Sequence, residues 1–62
     1  MTDKDIILDA YAEVIKEAFR VYFGALVGAK TAADKETAEN KFKSGVAFAR
    51  QTRDQALVVL GL

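Results

Sequence analysis

Residues 5–26 read DIILDAYAEVIKEAFRVYFGAL. Asp5, Asp9, Glu13, Lys16 and Arg20 recur in this stretch at helical spacing. On a helix that turns about 100° per residue they fall within one arc of about 80°. Ile6, Ile7, Leu8, Tyr11, Val14, Ile15, Phe19, Val21, Tyr22 and Leu26 spread over most of the remaining circumference. A helix wetted along one narrow edge needs cover on its other sides. One partner helix covers one side, and a chain of 62 residues has room for little more than one partner. The stretch therefore predicts self-association.

Composition points the same way. A chain of this length makes a single domain, 1–62, and buries only about 60% of its unfolded surface when alone. Domains this small gain stability from disulfides, a metal or oligomerisation. The chain has no Cys and no His. That excludes disulfides and thiolate metal sites, and it removes both the commonest transition-metal ligand and the commonest general base near neutral pH. Association remains, and a hydrophobic fraction of 52% supplies the surface for it. Nine basic and nine acidic residues cancel, so no net field draws nucleic acid or anionic lipid to the chain. The lack of Cys and an acidic N-terminus, Met1 to Asp5, fit a cytoplasmic protein rather than a secreted one. The longest uncharged run, Val21 to Ala29, falls well below the ~20 residues that span a bilayer.

Outward from the opening stretch, apolar residues keep three- and four-residue spacing to the end of the chain, and no proline interrupts them. Thr2-x-x-Asp5 and Thr31-x-x-Asp34 each carry the signature of a helix start. Helix 1 is expected at about 3–29, with Gly28 as its C-terminal glycine, and helix 2 at about 32–60. A turn at 30–31 is short enough to force an antiparallel hairpin. Ser44-Gly45 could divide helix 2. Continuity is favoured because Ala38, Phe42, Gly45, Ala49, Thr52, Ala56 and Val59 hold one register through it. The small residues of that register, matched by Ala18, Ala25 and Ala29 on helix 1, predict a close helix approach without saying which helix pair makes it.

A turn centred on Lys30 and Thr31 opposes residues whose numbers sum to about 61. Phe42 is then expected near Phe19, Ala49 near Ala12 and Arg53 near Leu8. Ile6, Ile7 and Leu8 meet Leu57, Val58, Val59, Leu60 and Leu62 at an apolar end that a lone hairpin leaves open. The expected architecture is all-α: a two-helix antiparallel hairpin that homodimerises, or forms a higher even oligomer, as a four-helix-bundle-type assembly. Its oligomer face is expected to use Ile7, Tyr11, Val14, Ala18, Tyr22, Phe42, Gly45, Ala49, Ala56 and Leu60. Arg53 falls on the apolar side of helix 2, where a guanidinium needs a partner. Asp5 and Asp9, from the same chain or another, are the expected partners of an ion pair that fixes register.

Other groupings carry less. Asp5, Asp9 and Glu13 line one helix edge, and a solvated stripe with Glu13–Lys16 and Glu17–Arg20 pairs accounts for them better than a metal site. Lys41, Lys43, Arg50 and Arg53 form a basic series, but Glu39 and Asp54 stand ready to pair with Lys43 and Arg50. Gly24-x-x-x-Gly28 matches a membrane helix-packing motif in a segment too short to span. No nucleophile, base or phosphate-binding loop is assembled, so no catalysis, cofactor or metal is expected. The expected function is a small self-associating module in protein–protein assembly or regulation. The alternatives are a dimeric helical-hairpin RNA- or DNA-binding regulator, and a carrier that holds an apolar ligand among Tyr11, Phe19, Tyr22 and Phe42.

Overall fold

A computed structural model describes all 62 residues. It is an all-helical hairpin of two elements, α1 (Asp3–Gly28) and α2 (Ala32–Val59), packed against each other. Each helix starts where the sequence places it. The Thr2 hydroxyl accepts from the Asp5 N–H while the Asp5 carboxylate accepts from the Thr2 N–H, both at 3.2 Å, which closes a capping box. At the second start, the Thr31 hydroxyl accepts from the Asp34 N–H at 3.1 Å, and the Asp34 carboxylate reaches back to the Lys30 N–H at 3.2 Å. Asp34 thereby ties the turn to the first turn of α2.

The helix ends differ from expectation at one point. Gly28 is the last residue of α1 rather than a left-handed cap; the cap is Ala29, in extended conformation, and its N–H donates to the Leu26 carbonyl. The chain must leave α1 extended to enter the Thr31 cap, so a left-handed residue has no place there. The positive-φ glycine is Gly61, at φ 71°, beyond α2. There the Leu62 N–H donates to the Leu57 carbonyl and the Gly61 N–H to the Val58 carbonyl, the paired bonds of a Schellman ending. Helix α2 runs unbroken through Ser44 and Gly45.

The two helices meet along Ile7, Tyr11, Ile15, Ala18, Tyr22 and Leu26 of α1 and Ala38, Phe42, Val46, Ala49, Arg53 and Leu57 of α2, all buried or half-buried. Two contacts set the register. Tyr22 stacks on Phe42 at 4.7 Å between ring centroids, and the Arg53 guanidinium lies 4.5 Å from the centroid of the Tyr11 ring. Both pairs have numbers that sum to 64, and Ile7–Leu57, Ile15–Ala49, Ala18–Val46 and Leu26–Ala38 fall in the same register. The expected pairings of Phe42 with Phe19, Ala49 with Ala12 and Arg53 with Leu8 are therefore displaced by about one turn. Side chains lean toward the N-terminus of their own helix, so in an antiparallel pair they meet across an offset that a count from the turn omits. Along this seam Ile15 stands against Ala49, Val46 against Ala18 and Leu26 against Ala38, large against small.

The polar stripe of Asp5, Asp9, Glu13, Lys16 and Arg20 is exposed on the side of α1 away from α2. Lys16 pairs with Glu13 at 3.1 Å and Arg20 with Glu17 at 3.3 Å, as the spacing predicts. The Cα trace measures 45 × 18 × 7 Å, a thin slab with two broad faces. Its radius of gyration is 14.5 Å, against about 11 Å for a compact chain of this length. No helix is long and apolar enough to cross a membrane.

Candidate functional site

One broad face of the slab carries an apolar groove between the helices. Near the chain ends it is an open hollow of about 350 Å3 lined by Ile7, Ala10, Tyr11, Val14, Gly45, Phe48, Ala49, Thr52, Arg53 and Ala56. Toward the turn it continues as a hollow of about 370 Å3 lined by Val14, Glu17, Ala18, Val21, Tyr22, Ala25, Ala38, Lys41, Phe42 and Gly45. Val14 and Gly45 belong to both, so the groove runs most of the hairpin's length. Its floor is built from small residues, because α1 places an alanine at 10, 18 and 25 and α2 places Ala38, Gly45, Ala49, Thr52 and Ala56 on one arc. Val14, Val21 and Phe48 stand up from it, with Phe48 70% exposed. The Thr52 hydroxyl donates to the Phe48 carbonyl at 2.8 Å, which satisfies it within the helix and leaves its methyl group to the groove.

All the expected oligomer-face residues except Leu60 line this groove. Ile7, Tyr11, Ala18, Tyr22, Phe42 and Ala49 are shared between the groove and the helix seam, Ala56 is half-buried in the groove, and Val14 and Gly45 stand open in it. The small-residue register of α2 is thus placed differently from a simple seam. Gly45 and Thr52 face the groove, and Val46, Arg53 and Leu57 take the positions against α1. Sequence reasoning passed over Ala10, Val21, Lys41 and Phe48 as lining residues. The signal for Phe48 was available in its position beside Gly45 and Thr52 on the α2 wheel.

Arg53 is engaged within the hairpin. Its guanidinium stacks on Tyr11 and binds the Asp54 carboxylate through Nη2 at 2.9 Å and Nε at 3.0 Å, with 24% of its side chain exposed. Asp5 is occupied by the Thr2 cap and Asp9 stands in solvent, so neither meets Arg53 within this chain. Asp54 therefore serves Arg53 rather than Arg50, and no ion pair joins Glu39 to Lys43. The quartet Tyr11, Phe19, Tyr22 and Phe42 does not enclose a common space. Tyr22 and Phe42 stack on each other, whereas Phe19 lies 6.4 Å from Phe23, both exposed. Asp5, Asp9 and Glu13 do not gather into a group that could hold a metal ion.

The chain's surface is large for its size. Only Ala38 is buried, and thirteen large apolar side chains stand exposed. The hairpin exposes 4847 Å2, whereas a compact monomer of the same mass exposes about 4,000 Å2. No protein-family model, curated protein or solved structure matches this chain.

Proposed function

We propose that this chain is a self-associating helical module, a hairpin completed by another copy as a four-helix-bundle-type assembly, whose role is protein–protein assembly or regulation rather than catalysis. One observation carries the reading: a 62-residue hairpin with a single buried residue and thirteen exposed large apolar side chains has no core of its own. Exposed apolar surface on this scale marks interaction sites. The surplus of roughly 850 Å2 over a compact monomer is close to the ~800 Å2 that each partner buries in an interface of standard size. Multi-angle light scattering across dilution tests it. The expected result is a native mass of two chains, or a higher even number, at micromolar concentration. A monodisperse monomer there overturns the reading.

A further inference from the structure

We infer that association closes at two copies, each covering the groove of the other, and that the opposite broad face of the hairpin stays outside. The inference rests on the self-association reading and deepens it by naming the surface used and the number of chains.

The seam divides each helix into two flanks. On α1, Ala10, Val14 and Val21 stand about a quarter turn to one side of the seam, on the groove, and Ala12, Phe19 and Phe23 about a quarter turn to the other. On α2, Gly45, Phe48 and Thr52 take the groove side, and Glu39, Lys43, Arg50 and Asp54 the opposite side. The opposite face is therefore apolar on its α1 half alone. Along its α2 half, Glu39, Lys43 and Arg50 have no ion-pair partner within the hairpin. In the register of the seam, Lys43 falls level with the middle of the Phe19–Phe23 pair. A chain laid over those rings takes these ionised groups out of water, a cost that outweighs the burial of a few apolar side chains. The groove asks for little of this. Glu17 and Lys41 line only its half near the turn, and Arg53 is already held by Tyr11 and Asp54. The Thr52 hydroxyl is satisfied within α2, so covering it leaves no donor stranded.

Area limits the number of copies. The surplus exposure of roughly 850 Å2 per chain matches one interface of standard size, which takes about 800 Å2 from each partner. Covering both broad faces would need about twice that surface. When the same groove is used on both copies, the pairing consumes it and growth stops. Groove packed on opposite face would leave a groove free at every step and build a filament. It would also press Glu39, Lys43 and Arg50 against apolar side chains.

Single cysteines and light scattering test this. The chain has no Cys, so Phe48→Cys and Phe23→Cys each place one thiol, at side chains 70% and 60% exposed in the hairpin. In the assembly, Phe48→Cys is expected to react with a maleimide about tenfold more slowly than Phe23→Cys. The unaltered chain is expected to have the mass of two copies. Val14→Asp is expected to raise the dissociation constant about a hundredfold, because each dimer then buries two carboxylates. Phe19→Asp, on the opposite face, is expected to change it less than threefold. Where Val14→Asp fails to fold, the labelling contrast decides. A mass of four or more chains, or one that grows with concentration, overturns closure at two. Slow labelling at Phe23→Cys with fast labelling at Phe48→Cys overturns the groove as the covered face, as does dissociation by Phe19→Asp alone. Each of these results leaves self-association standing; an unaltered chain that is monomeric throughout overturns it together with this inference.

Discussion

Arg53 joins the two helices at a single residue. Its guanidinium lies over the Tyr11 ring, and the Asp54 carboxylate takes two of its donors. The two partners differ in worth. A guanidinium over an aromatic face with part of its hydration removed contributes about 1–2 kcal/mol. The carboxylate is 61% exposed, and a pair of that kind contributes about 0.2–1 kcal/mol. Arg53→Ala is therefore expected to lower the unfolding free energy by about 1–2 kcal/mol. Asp54→Ala is expected to change it by less than about 0.5 kcal/mol in urea titration. Equal losses would assign Arg53 to its ion pair instead. The position of Arg53 on the apolar side of α2 was legible from the heptad-like spacing. Its partner was not, because a long flexible side chain reaches in several directions and the choice of Tyr11 depends on the offset between the helices.

At the scale of the helix, the glycines differ in sign. Gly24 lies within α1, and a Cβ added there meets nothing. Gly24→Ala is expected to raise stability by about 0.5–1 kcal/mol by removing glycine's backbone freedom from the unfolded chain. Gly61 sits at φ 71° in the Schellman ending of α2. Gly61→Ala is expected to lower stability by about 1 kcal/mol, because an L side chain at positive φ crowds its own backbone. Thermal unfolding followed by circular dichroism compares the two, and a shift of the same sign in both would contradict this account. The helix starts at Thr2 and Thr31 were readable because a cap is a local device of a hydroxyl and an N–H three residues away. Continuity through Gly45 was readable because the apolar register does not change phase there. The end of α1 was misread at Gly28, since the glycine's conformation is set by the cap that follows it rather than by its own identity.

At the scale of the molecule, a slab with one buried residue should melt as an assembly. The midpoint of thermal unfolding is expected to rise with protein concentration, because dissociation accompanies unfolding of an oligomer. A midpoint that does not move over a hundredfold dilution would mean that the hairpin holds its fold alone. The all-helical class, two helices, their N-terminal caps, the antiparallel turn and the solvent edge of α1 were determined by the sequence itself, through local hydrogen bonding and the period of apolar residues. Tertiary structure alone decided which part of the apolar arc of α2 faces α1. That arc is wider than the strip one helix pair covers, so the pattern leaves rotation about the helix axis open. The Tyr22–Phe42 stack and the seat of Arg53 on Tyr11 close it, turning Val46, Arg53 and Leu57 inward and leaving Gly45, Phe48 and Thr52 on the groove.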